Sequence, residues 1–345
     1  MQLPLIAITL GDPAGIGPEV VLKALTHPAL FSECRPLVIG CESILKRAMT
    51  ALRMPSPFNI EFISDASLGA YLTGTIPLLN LNNITPSNSP LGEVSAASGR
   101  AAVEYVCTAC DLAMTGQVDA IVTAPLNKEA MNLAGFHYAG HTELLAERSG
   151  AKKVTMLLTG GALRVVHVST HVSLEEAIRK VTRNRVEEVI DLAQTACQAL
   201  GIEKPRIAVA GLNPHASEEG LFGSQEADEI IPAILAARAR GLTVSGPLPP
   251  DTVFLRAAQG QFDIVVAMYH DQGHIPMKLL AFDSGVNVSL GLPIIRTSVD
   301  HGTAFDIAGT GKASAASLLA AVAIAVQMVH ARSSTGNLLP LDPPV

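Results

Sequence analysis

Met268-Tyr269-His270-Asp271-Gln272-Gly273-His274-Ile275-Pro276-Met277-Lys278 stands at the end of an apolar run, Ile264 to Met268. The run reads as a buried strand, and the residues just after it gather two imidazoles, a carboxylate, an amide and an amine, with Gly273 and Pro276 to shape a turn. Neutral imidazole with carboxylate suits a borderline divalent metal, and a nearby lysine can pair with an anion or move a proton. A well-satisfied surface loop is the competing reading, so the fold turns on what else converges here.

Two other stretches use the same device. Leu163 to Val168 reads as a largely apolar strand and is followed by Thr170-His171; Ile207 to Ala210 is apolar and is followed by Gly211-Leu212-Asn213-Pro214-His215. One histidine after a strand is usually structural. Three delivered alike, His171, His215 and His270, form a candidate three-imidazole metal site with an open position for substrate.

Strand and helix patterns alternate through the rest of the chain, the mark of an open α/β sheet whose sites gather beyond the carboxyl ends of strands. Pro4 to Leu10 leads into Gly11-Asp12-Pro13-Ala14-Gly15-Ile16-Gly17-Pro18-Glu19, where a turn can expose backbone N–H groups to an anion or can simply pack tightly. Residues Pro55 to Pro90 read as an irregular or strand-and-loop excursion. Ser95 to Gly116 reads as a long helix, Ala120 to Thr123 as a buried strand, and Gly140-His141-Thr142-Glu143 as a helix start able to grip phosphate. Thr155 to Leu158 pairs with the strand from Leu163 around Gly160-Gly161. Gly246 to Thr252 reads as a proline-rich loop setting Asp251 before a helix. Arg296 follows an apolar triplet and can hold a carboxylate or phosphate bidentately, near Lys278 and Asn287. His301 to Lys312 is a second glycine-rich loop, and the tail after Ser333 reads as frayed.

At 345 residues, length favours two domains. Charged residues make up only 16% against 48% apolar, which excludes a disordered chain and calls for extensive burial. A net charge of -7 leaves no basic footprint for nucleic acid, so an anionic ligand must be held locally. Five scattered cysteines fit reduced thiols, and Cys107 and Cys110 read as small hydrophobes on a helix. No signal peptide is apparent, and the span-length stretch Ala313 to Ala331 reads as a buried helix, so a cytoplasmic protein with no membrane partner is expected.

Taken together, these motifs resemble the 4-hydroxythreonine-4-phosphate dehydrogenase family along nearly the whole chain. Gly15-Ile16-Gly17-Pro18-Glu19 and His301 to Gly309 also resemble the isocitrate and isopropylmalate dehydrogenases. The resemblance implies a two-domain α/β/α fold of that dehydrogenase type, not Rossmann, with an interdomain cleft. Approximate domains are 1–135 plus 290–345 and a central 136–289. It implies a homodimer sharing each metal site, with His171, His215 and His270 as metal ligands, and His141, Thr142, Lys278, Asn287 and Arg296 as substrate contacts. His301, Gly302, Asp306 and Gly309 fall in the loop that would bind NAD or NADP. Asp251, Asp271 and Lys278 are the candidate proton carriers, and the metal is zinc, cobalt, magnesium, manganese or nickel. The implied reaction oxidises the C3 hydroxyl of a C4-phosphorylated hydroxy acid and decarboxylates the 3-keto acid, as in pyridoxal phosphate biosynthesis. His274 and Leu221-Phe222-Gly223 look closer to paralogues that oxidise 4-phospho-D-threonate or 4-phospho-D-erythronate to dihydroxyacetone phosphate. A non-catalytic phosphometabolite-binding protein is the further alternative.

Overall fold

The computed structural model describes residues 2–54, 58–282 and 284–335, so most of the tail after Ser333, and the start of the Pro55 to Pro90 excursion, lie outside the described residues. In chain order the strands are β1 (Leu5–Thr9), β2 (Arg35–Gly40), β3 (Asn59–Phe62), β4 (Thr75–Asn80), β5 (Ala120–Thr123), β6 (Thr155–Gly160), β7 (Leu163–His167), β8 (Ile207–Ala210), β9 (Val244–Leu248), β10 (Ile264–Ala267), β11 (Val286–Leu290) and β12 (Arg296–Val299). Helices alternate with them, which is the α/β class expected. Among the described residues the chain forms two compact units, one holding residues up to 152 together with Leu292–His330, the other Lys153–Gly291 with 331–335.

In the first unit the strands run β3-β4-β2-β1-β5-β12, every described neighbour pair parallel. β1 and β5 are wholly buried, which is why Leu-Ile-Ala-Ile-Thr and Ala-Ile-Val-Thr carry no polar alternation. The Pro55 to Pro90 excursion supplies β3 and β4. Its β3 is an edge strand, half exposed and interrupted by Asn59 and Glu61, and so shows no buried run.

The Gly11 to Glu19 turn is a close-packing device. Gly11 has φ +68°, and a Cβ there would lie 2.4 Å from the Pro125 carbonyl oxygen; at Gly17 it would lie 2.2 Å from that of Leu10. The last helix, Ala316–Thr335, is long and apolar enough to cross a membrane, and buries Leu318, Ala321, Val322 and Ala325. Thr297 on β12 donates its hydroxyl to the Ala321 carbonyl at 2.8 Å. Cys107 and Cys110 are free thiols on the Ala96–Met114 helix.

The second unit orders its strands β11-β6-β7-β10-β8-β9. β6 and β7 form the expected antiparallel pair, while β7, β10, β8 and β9 are parallel. Three adjacent parallel strands therefore end on one edge. Val165, Ala208, Val265 and Ala267 make one core with Val253 and Phe254 of the Pro250–Ala258 helix and Met277 and Ala281 of the His270–Ala281 helix. At roughly 1.5–3 kcal/mol per large apolar side chain buried, that core commits both helices to the sheet.

Two expectations change here. The Gly246 to Thr252 loop begins within β9, an edge strand that tolerates Pro247. The stretch after β10 is a helix from His270 on, with Gly273 and Pro276 inside it. Gly273 is required by contact and not by a turn, because a Cβ there would lie 2.3 Å from His167 Nε2.

Gly11→Ala is expected to lower unfolding free energy by about 2 kcal/mol or more, from the positive φ and the clash together, measured by denaturant melts. Unchanged stability would show that the turn relaxes freely.

Candidate active site

The second unit gathers the imidazoles at the shared strand edge. Met268 and Tyr269 carry the chain from β10 to His270, and Gln272, 9% exposed, locks that turn. Its Oε1 accepts the Met268 N–H at 2.7 Å and its Nε2 donates to the Gly211 carbonyl at 2.8 Å, where β8 gives way to the His215 loop. Ser169 donates to the Met268 carbonyl at 3.1 Å and ties in the end of β7. His270 Nδ1 lies 2.7 Å from Asp271 Oδ1, which leaves Nε2 as its outward nitrogen. The His171 ring stands 5.7 Å from that of His270, tilted 48°. Both line a cavity of about 470 Å³ with Thr170, Tyr269 and Asp271.

His215 is held differently. His215, Ala216, Ser217, Glu218 and Glu219 all have positive φ, a left-handed run that costs roughly 1–2 kcal/mol per residue where nothing compensates. Compensation comes from Glu226, 1% exposed, whose carboxylate accepts both the Asn213 N–H at 2.7 Å and Asn213 Nδ2 at 2.9 Å. Gly220 and Phe222 donate backbone N–H groups to the Ser217 carbonyl. His215 itself is exposed, its Nδ1 3.2 Å from Glu218 Oε2. Two of the three expected imidazoles thus converge, with the third on an exposed arm. Among the described residues, no set of three metal-ligating side chains closes within the chain.

Of the proton-carrier candidates, Asp271 is committed to His270, and Asp251 is exposed on the first turn of its helix. Lys278 shares a helix face with His270 and His274, and its Nζ lies 5.5 Å from the Phe282 ring centre. Asn287, on β11, donates to Met156 Sδ, while its Oδ1 is buried without a hydrogen bond.

The first unit buries a guanidinium near a neutral imidazole. Arg296, 2% exposed, donates from Nη2 to Thr123 Oγ1 at 2.7 Å, and burial pulls its guanidinium down to about 9. His141 opens the His141–Ser149 helix with Thr142 beside it. Burial, with the Arg296 and Lys128 charges, holds His141 well below the usual imidazole range, and its buried Nε2 has no hydrogen-bond partner. The glycine-rich loop is clamped to the Gly17–Leu25 helix: Gly309 and Gly311 donate N–H groups to the Glu19 carboxylate, and Lys23 donates to the Gly311 and Ala313 carbonyls. His301 Nδ1 lies 3.0 Å from the Gly302 carbonyl oxygen, and Asp306 is exposed. Gly309, Gly15, Glu19 and Arg47 border a small hollow of about 10 Å³.

Sequence reasoning passed over Gln272, His167, Glu226, Lys128 and Asp12 as site-shaping groups. Gln272 was readable as an amide amid imidazoles; Glu226 had no local signal. Asp12 is fully buried, and burial raises its carboxyl from 3.8 to about 6, only partly offset by the Ala14 and Asn127 N–H groups and the Arg47 guanidinium.

Compared with known proteins, the family model described as pyridoxal phosphate biosynthetic protein PdxA matches residues 32–325. The chain belongs to the PdxA family. A D-threonate 4-phosphate dehydrogenase from Cupriavidus necator is 48% identical over 332 residues, 96% of this chain and 99% of that protein. A 4-hydroxythreonine-4-phosphate dehydrogenase from Desulfosudis oleivorans is 50% identical, with 94% and 95% covered. The crystal structure of 4-hydroxythreonine-4-phosphate dehydrogenase from Klebsiella pneumoniae superposes with a TM-score of 0.85 at 46% identity, covering 94% of this chain and 99% of that one. PdxA relatives named in this way are dehydrogenases, and the two-unit α/β fold is theirs.

A raised carboxyl binds its proton more tightly folded than unfolded, so stability falls as pH rises from 3.8 through about 6. Asp12 accounts for about 3 kcal/mol of that fall. Asp12→Asn is expected to flatten this limb, read as the stability difference between variant and wild type at pH 4 and pH 8; a constant difference would contradict the assignment.

Proposed function

We infer that this chain is a metal-dependent, NAD(P)-dependent dehydrogenase that oxidises the C3 hydroxyl of a C4-phosphorylated hydroxy acid and releases CO2 from the 3-keto acid. The observation that carries the reading is the pair of imidazoles, His171 and His270, brought together at one cavity in a chain of the PdxA family. The second unit presents them with Lys278 on the same helix face as His270, and the first unit, taken by itself, buries the Arg296 guanidinium near His141. The substrates named for the relatives, 4-hydroxythreonine 4-phosphate and D-threonate 4-phosphate, differ at C2 and share the C3 hydroxyl and the C4 phosphate.

The donor set fits a divalent metal in part. His270 and His215 each have Nδ1 against a carboxylate, which leaves Nε2 as the nitrogen that would face a metal. When bound by His171, His215 and His270, such an ion supplies Lewis-acid polarisation of the substrate oxygen. Completion of the set is assigned to a second copy of the chain. The His270–Ala281 helix leaves Ile275, Leu279 and Leu280 exposed, Leu279 by 81%, and an apolar helix face of this kind calls for a covering partner. With Asp271 committed to orienting His270, Asp251 and Lys278 are left to take the alcohol proton, and Lys278 is favoured by sharing the His270 face. Arg296, His141 and Thr142 hold an anionic group, and Asn287 offers its buried Oδ1 to a donor. The loop His301, Gly302, Asp306 and Gly309, braced by Glu19, is assigned to the nucleotide.

The test is NADH or NADPH formation at 340 nm with metal-supplemented protein on 4-phosphohydroxy-L-threonine, 4-phospho-D-threonate and 4-phospho-D-erythronate. One or more of these is expected to be oxidised with CO2 release, and chelation to abolish the rate until metal is returned. Silence on all three with metal bound would sink the reading and favour a phosphometabolite-binding protein. Arg296→Met is expected to raise KM about 100-fold, the loss of two charge-assisted hydrogen bonds, while leaving the melting temperature unchanged or higher. A melting temperature that collapses with KM unaltered would make Arg296 structural.

A further inference from the structure

Three imidazole rings are piled against one another in the second unit. His167, fully buried at the end of β7, lies 4.8 Å from the His274 ring, and His274 lies 3.6 Å from His270 with only 10° between their planes. The pile exists because Gly273 has no side chain: a Cβ there would take the space of His167 Nε2 and Val165. His274 is itself fixed, since its Nδ1 lies 3.0 Å from the His270 carbonyl oxygen; a carbonyl can only accept, so that nitrogen donates.

His270 is over a third exposed, and its carboxylate partner Asp271 is 70% exposed. A hydrogen bond to Nδ1 fixes one point on the ring but leaves the ring free to rotate about it. A second ring stacked flat on its face removes that rotation. The two restraints are independent, and together they aim Nε2 at one position.

We propose that His274 is a positioning residue that holds the plane of His270, backed by His167 behind it, so that His270 Nε2 meets its ligand without reorganisation. The proposal rests on the reading of His270 as a metal ligand given above. It assigns to His274 a role beside the metal position, underneath a ligand, with no contact to substrate required.

The experiment uses the full chain stripped of metal and titrated with cobalt(II) against a competing chelator, for wild type, His274→Leu and His274→Phe. His274→Leu fills the space without a ring. It is expected to bind cobalt(II) about 10- to 100-fold more weakly, the usual effect of losing a group that orients a ligand, and to alter the visible cobalt absorption. Its metal-free melting temperature is expected to stay close to wild type. His274→Phe restores a flat face and is expected to recover most of the affinity, and it decides the matter should the leucine variant fold poorly. Cobalt(II) bound by His274→Leu as tightly as by wild type, with the same spectrum, would overturn the proposal. So would a lowered metal-free melting temperature with affinity intact, which assigns packing alone. If wild type itself takes up no cobalt(II), the metal reading fails and the proposal with it, a result distinct from both.

Discussion

The rest of the second unit depends on one buried amide. Gln272 accepts the Met268 N–H and donates to the Gly211 carbonyl, so the end of β10 and the end of β8 are tied by a single side chain. Backbone groups at strand ends have no ladder partner, and a buried one left unmade costs about 1–3 kcal/mol. Gln272 satisfies one on each strand and fixes the starting points of the His270 helix and the His215 loop with the same two bonds. Ser169 adds the end of β7, so all three histidine-bearing segments leave the sheet from connected anchors.

From those anchors the chain distributes its restraints unevenly. His270 is restrained twice, by Asp271 and by the His274 face, while His215 rides on five consecutive left-handed residues braced through Asn213 by the buried Glu226. A run of this kind persists only where its surroundings over-determine it, and such strain gathers at functional sites. The first unit carries a buried charge in place of strain: Arg296 and the unpartnered His141 Nε2 are both costly in isolation, and under the proposed function a bound anion would offset that cost.

Much of this was legible in the sequence where the signal was local. Ile264 to Met268 and Ile207 to Ala210 lack charge because both faces of their strands are covered, and the polar residues crowd immediately after them because the sheet edge is where water and ligand reach. What escaped was non-local. The helix at His270 was obscured by Gly273 and Pro276, ordinarily helix breakers; Gly273 is there for His167, a contact made through the fold and invisible along the chain. β3 and β9 escaped because edge strands carry polar residues and proline. The role of Glu226 escaped because a buried glutamate reads as a surface one until its partner Asn213 is placed beside it.

The central claim, that these three histidines form one metal site in the assembled protein, is tested most directly by anomalous diffraction from crystals loaded with zinc. The account predicts one strong peak per chain, about 2 Å from Nε2 of His270, His171 and His215, with one of the three contributed by a second copy. A peak elsewhere, or zinc bound by His171 and His270 without any His215, would contradict it.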